Sequence, residues 1–232
     1  MFDDLPYPCR HQPSPRRRTL AVEVRDAEVV VRSPLRYPPQ RLKAWLKDRE
    51  DWILHHLQAQ QARLEAHQIR FQSGSAFPFM GQELTLFWQL AEKTSVQWQA
   101  QALQLSLSRR SKRDPLERVP EALKTWMQAQ AEQSLLPRVA QLAQQMRMHP
   151  RQVLIKGFRR RWGQCSSQGV ITLNWRLMHA SPALQDYVII HELCHLREMN
   201  HSSAFWALVA QHCPDYRNLR QALRSRGAWL DW

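Results

Sequence analysis

The chain has little of what defines several protein classes. It carries only four cysteines in 232 residues, Cys9, Cys165, Cys194 and Cys213, and no C-x-x-C pair. That excludes a disulfide-stapled scaffold and points to a reducing compartment. No apolar run approaches the length of about 20 residues that crosses a bilayer, and the opening MFDDLPYPCRHQPSPRRR lacks the apolar core of a signal peptide. A soluble, cytoplasmic protein with no membrane association is the expectation. There is no glycine-rich phosphate loop, no internal repeat and, past the first residues, no low-complexity tract. Acidic residues are also scarce, 20 against 33 Lys and Arg, so the chain carries +13 at neutral pH. A charge of that size favours association with polyanions, nucleic acid included. The excess falls in short runs, Arg16-Arg17-Arg18, Arg109-Arg110 and Arg159-Arg160-Arg161, which a solvated surface explains equally well.

What is present organises into three stretches. Residues 1–17, rich in proline and arginine and without hydrophobic period, read as a flexible basic leader. Residues 18–115 read as a β-rich N-terminal lobe with one helix. Its strands Thr19–Val24 and Glu28–Arg32 form a hairpin around Asp26-Ala27, a helix follows from Pro39 to about His67, and alternation over Phe71–Ser108 predicts a small antiparallel sheet. The basic, proline-containing stretch Ser108–Pro120 reads as the junction to a C-terminal lobe, residues 116–232. That lobe opens with a helix from about Glu121 to Met146, which Pro137 is expected to kink or break near Leu136. Short strands Val153–Lys156 and Val170–Asn174 flank the turn GQCSSQG, and Ser181-Pro182 starts another helix. The fold class is α+β, a β-rich lobe packed on a helical lobe with a small sheet.

The chemistry is concentrated in YVIIHELCHLREMNHSSAFW, Tyr187 to Trp206. His191 and His195 are four residues apart, so on a helix their imidazoles lie one turn apart on one face and can grip a single metal, for which zinc is the natural choice. Glu192, beside the first histidine, stands where a general base reaches a metal-bound water without ligating the metal. The apolar run Val188-Ile189-Ile190 buries this helix, and buried imidazoles and a buried carboxyl need strong partners. A catalytic zinc takes three protein ligands, and His201 is the choice for the third. Met199-Asn200 would end the helix there, with Asn200 in the left-handed conformation that returns His201 to the metal. Glu198, His212 and Asp215 compete for that place. Cys194 reads as a packing thiol and Cys165 as a loop residue without a partner base. Tyr187, Arg161 and His212 remain open as oxyanion stabilisers.

The block RRRWGQCSSQGVITLNWRLMHASPALQDYVIIHELCHLREMNHSSAFW resembles the signature of the YgjP-like metallopeptidase family, relatives of the SprT-like zincins. The likeness rests on Arg161-Trp162-Gly163, Cys165-Ser166, Leu173-Asn174-Trp175, His191-Glu192-Leu193, His195-Leu196, Asn200-His201-Ser202 and Phe205-Trp206, and it extends back to about Arg18. Gln164 departs from it, standing where a small residue is expected, and no C-x-x-C ribbon follows the motif as in Spartan-type relatives. The resemblance implies a zincin-like C-terminal lobe, one Zn2+ per chain on His191, His195 and His201, Glu192 as acid/base, and a protein or peptide substrate. Two other functions fit the residues: a metal-dependent phosphoanhydride hydrolase acting on nucleoside triphosphates, and a nucleic-acid-binding protein with a structural metal.

Overall fold

Val29, Val30 and Val31 are buried in succession, and since neighbouring side chains point to opposite faces, both faces of this strand, the middle one of its sheet, are covered. The computed structural model describes every residue except 1, 3–4, 26–27, 67, 227–228 and 230–231. It divides into two compact units, Met1–His67 and Gln68–Trp232.

In the first unit strands β1 (Cys9–Ser14), β2 (Ala21–Arg25) and β3 (Glu28–Pro34) form a sheet of order β1-β3-β2. The expected hairpin is there as the antiparallel pair β2–β3, while its turn, Asp26-Ala27, lies outside the described residues. β1 corrects the reading of residues 1–17 as a flexible leader, for it pairs parallel to β3, Cys9 opposite Val29. The signal was hidden because an edge strand of mixed polarity shows no period of its own. Two helices, α1 (Pro39–Lys47) and α2 (Glu50–Ala66), replace the single one expected. The chain breaks at Asp48-Arg49, and because Leu46 and Ile53 still stand seven residues apart, the spacing of one helix face, the break leaves no mark in that period. Leu42, Leu46 and Ile53 join Tyr7, Val29 and Val31 in the unit's core, each full burial stabilising by about 1.5–3 kcal/mol.

The second unit holds two more sheets and four helices. Strands β4 (Ala76–Phe79), β5 (Gln82–Ala91), β6 (Ser95–Gln99) and β7 (Ala102–Ser108) are ordered β4-β5-β7-β6. The sheet is mixed, not antiparallel as alternation suggested, because β5 and β7 run parallel with β6 outside β7. Alternation reports which face is buried and says nothing about which strand is the neighbour. Helix α3 (Pro115–Gln145) starts on Asp114, whose carboxylate accepts from Leu116 N at 2.8 Å, with Pro115 at its first position. It runs unbroken through Pro120 and Pro137, against the expected break. Leu123, Met127, Ala131, Leu135, Val139 and Leu142 form a buried stripe along it, and that packing outweighs the hydrogen bond each proline removes. The stripe shares one core with Phe77, Leu86, Leu103 and Leu105 of the four-stranded sheet.

The third sheet, β8 (Gln152–Lys156), β9 (Gly163–Cys165) and β10 (Val170–Asn174), has β10 in the centre, parallel to β8 and antiparallel to β9. After it come a 3-10 turn (Trp175–His179) and helices α4 (Pro182–Cys194), α5 (Ser203–His212) and α6 (Tyr216–Arg224). The described residues thus form a mixed α+β protein of three small sheets and six helices. None of the helices is long and apolar enough to cross a membrane.

Candidate metal centre

Helix α4 is held from its first turn. Pro182 presets the backbone angle at the helix start, and Gln185 Nε2 donates to the carbonyls of Leu177 and Ala180 at 3.1 and 2.9 Å. The turn between β4 and β5 presses on the same place: Met80 N donates to Met178 O at 2.6 Å, and a Cβ on Gly81 would lie 2.6 Å from Ser181 Cβ. Gly81 also has φ +77°, so this position requires glycine on both grounds. Farther along, Arg138 of α3 holds Asp186 through Nε and Nη2 at 2.7 and 2.6 Å. At its partial exposure that pair contributes on the order of 1 kcal/mol, but it fixes the helix's rotation.

Fixing α4 fixes His191 and Glu192 in its last turn and His195 at its C-cap. The helix ends there, four residues earlier than the Met199-Asn200 end expected. Tightened turns follow, with Leu196 N bonded to Leu193 O and Arg197 N to Cys194 O. Asn200 is not left-handed; among the described residues only Met80, Ala100 and Arg147 have positive φ outside glycine. His201 returns by another route, standing just before Ser202, whose Oγ caps α5 by accepting from Phe205 N at 3.2 Å.

The three imidazoles converge. One nitrogen of each of His191, His195 and His201 lies within 4.8 Å of the others, and the Nε2 atoms of His191 and His201 are 3.1 Å apart. Two nitrogens on a tetrahedral zinc, each about 2.0–2.1 Å from it, stand about 3.3 Å apart, so the spacing suits the ion. His195 Nδ1 donates to the carbonyl of Glu198 at 3.0 Å, which leaves its Nε2 as the lone-pair nitrogen. His191 turns its Nε2 into the cluster, while its Nδ1, on the far side of the ring, is buried with no hydrogen-bond partner. The carbonyl end of α4 adds favourable potential for positive charge at the same place.

Burial sets the electrostatics. It pushes the His191 pKa down to about 3, helped by His195, His201 and Arg220, and it lowers His201 in the same direction. Glu192, 5% exposed, is pushed up to about 8 by burial, with Arg161 pulling the other way. Its carboxyl lies against the backbone of β9, where a Cβ on Gly163 would come within 2.8 Å of Oε1.

Aromatic rings frame the histidines. Phe205 packs against all three, with ring centroids 4.9, 4.5 and 4.8 Å from His191, His195 and His201. Trp206 stacks on His201 and, by its other contacts, on Tyr216, and the Arg220 guanidinium lies 4.4 Å over it. Phe205 and Trp206 entered the sequence reading only as part of a resemblance, and Gly163 likewise. Tyr216 and Arg220 carried no signal, since nothing in a helix periodicity says that α6 reaches back to His201.

The other candidates stand apart from the cluster. Among the described residues, the group able to hold a metal contains neither Glu198, His212, Asp215 nor Cys194. Glu198 meets the site through its carbonyl, and Asp215 accepts from Asn218. Cys165 is pushed up to about 11 by burial and by Glu192, which removes it as a nucleophile near neutral pH. Tyr187, its ring 6.0 Å from His191, is raised by burial and stays a neutral hydroxyl.

Converging imidazoles beside a buried carboxyl are the outline of a metal-dependent hydrolase. Residues 18–226 match the model of the YgjP-like metallopeptidase domain, and the chain belongs to that family. In the broad sense it is therefore a metal-dependent peptidase, a hydrolase of protein or peptide substrates. Comparison with curated proteins gave no match. Among solved structures, the metallopeptidase zymogen abylysin of Pyrococcus abyssi aligns at 21% identity over 40% of this chain and 93% of its own, with a TM-score of 0.37, a likeness too slight to carry an argument.

Proposed function

We propose that the protein is a zinc metallopeptidase in which His191, His195 and His201 hold one Zn2+ per chain and Glu192 is the general base. The observation that carries this reading is the convergence of three imidazole nitrogens within 4.8 Å. A bound zinc ion would lower the pKa of a water and polarise the substrate carbonyl. Glu192 accepts a proton as the water attacks the peptide carbon and returns it to the amine as the C–N bond breaks. A carboxyl with its pKa lifted by burial toward neutrality can do both, and Gly163 leaves the room in which it sits. Phe205 and Trp206 keep the imidazoles in their orientation and shed water from one side of the cluster. Membership of a metallopeptidase family favours peptide hydrolysis over phosphoanhydride hydrolysis or a purely structural metal.

The test is metal analysis of the purified protein and its Glu192→Gln variant, with both assayed on denatured protein. We expect about one zinc per chain in each, and turnover lower in the variant by about 10²–10⁴-fold. A protein that takes up no zinc on reconstitution, or a variant as active as the parent, would overturn the reading.

A further inference from the structure

Two arginines near the histidine cluster form no ion pair among the described residues, and each is tied to a different part of it. Arg161 lies two residues before the strand that backs Glu192. Asn174 Nδ2 anchors its loop by donating to the carbonyls of Phe158 and Arg161 at 2.8 and 2.9 Å. Its guanidinium donates to Gln164 Oε1 at 2.8 Å, and its charge opposes the burial that raises Glu192. Arg220 lies on α6, stacked 4.4 Å over Trp206, which in turn stacks on His201 with ring centroids 5.6 Å apart. Both side chains belong to exposed residues, and neither takes part in an ion pair among the described residues.

A guanidinium stacked on an indole uses its flat face for that contact and keeps its in-plane N–H donors for a ligand, which is the edge that matches a carboxylate. Arg161 likewise commits one nitrogen to a neutral amide and leaves the rest. Arg161 lies two residues before Gly163, which backs the general base, and Arg220 reaches the third imidazole through Trp206.

We propose that Arg161 and Arg220 are specificity determinants that select acidic peptides, pairing with Asp or Glu side chains of the substrate on the two sides of the bond to be cut. The proposal rests on the peptidase reading above. Neither arginine is assigned a chemical step; each would act by holding a substrate carboxylate.

The experiment measures binding of fluorescently labelled peptides, identical but for Glu, Gln or Lys on both sides of a fixed central dipeptide, to the full-length Glu192→Gln protein loaded with zinc. Cleavage of the same peptides by the wild type is followed in parallel. Charge-assisted hydrogen bonds to two arginines should make the Glu peptide bind about tenfold or more tightly than the Gln peptide. Arg161→Gln and Arg220→Gln should each shrink that ratio, and Arg161→Glu with Arg220→Glu should turn the preference toward Lys. Equal binding of the Glu and Gln peptides overturns the proposal. So does an equal loss on charge reversal at the remote exposed pair Arg109→Glu and Arg110→Glu, which would mark attraction by net charge alone. Inorganic triphosphate binding more tightly than the Glu peptide, and weakened by the same two variants, would also overturn it and assign the arginines to phosphate. Cleavage of all three peptides at one rate removes the selectivity and leaves the peptidase standing. Selective binding with no cleavage by the wild type removes the peptidase reading instead.

Discussion

His179, buried, and His191, partly buried, are histidines of one unit, both driven to a pKa of about 3 by burial, and their surroundings differ in what they leave undone. His179 is fully enclosed and fully bonded. Its Nδ1 donates to Pro78 O at 2.6 Å, its Nε2 accepts from Trp232 Nε1 at 2.9 Å, and Phe77, Trp229 and Trp232 pack on its ring. His191 has one nitrogen with no partner and turns the other toward another imidazole. Burial and low basicity therefore do not separate a structural histidine from a functional one. The partner of Nε2 does: in His179 its lone pair is taken by an indole N–H, whereas in His191 it faces the Nε2 of another imidazole where the rings converge.

The contrast is sharpest under substitution. His191→Ala should reduce bound zinc to background and abolish turnover with the fold retained, as read by metal analysis and circular dichroism. His179→Ala should leave zinc content intact and lower stability by about 2–4 kcal/mol in urea unfolding, since it opens a cavity and strands the Trp232 indole N–H. If the two variants behaved alike, the distinction would collapse.

Gly163→Ala tests the same boundary from the side of the base. The added methyl would meet the Glu192 carboxyl and displace it, so kcat should fall about 10–100-fold while zinc content holds. An unchanged kcat would mean that the position of Glu192 in the fold is not the reactive one.

The smallest effect is in pH. Folded His179 binds its proton near 3 and an ordinary histidine near 6.5, so on acidification the unfolded chain takes up the proton first. The stability this group contributes is complete above pH 6.5 and is lost as the pH falls toward 3. Between pH 7 and 5 the loss is about 2 kcal/mol. Urea midpoints at the two pH values should show that the slope is shallower in His179→Phe than in the wild type.

The core of the site was legible in the sequence because it is local. His191, Glu192 and His195 are related by one helical turn, and His201 is close enough in the chain to return by a short loop. The frame around them was not. Gly163 meets Glu192 from a strand 29 positions earlier, and Arg220 meets Trp206 and, through it, His201 from the helix that follows. Such contacts follow from how α4 lies against β9 and α6, which no periodicity encodes. The elements show the same division. The β2–β3 hairpin was readable from its own residues, whereas β1 acquired its role only from pairing with β3.

By itself, then, the sequence determined the family, the class of fold and the imidazole pair with its neighbouring carboxyl, since each depends on residue types at short fixed spacing. The tertiary structure alone decided that β5 and β7 run parallel, that α3 passes through Pro137 unbroken, and that His179 is a closed structural ring while His191 is an open one. Those outcomes turn on which distant groups share a core, where the free energy of packing exceeds any preference of the local chain.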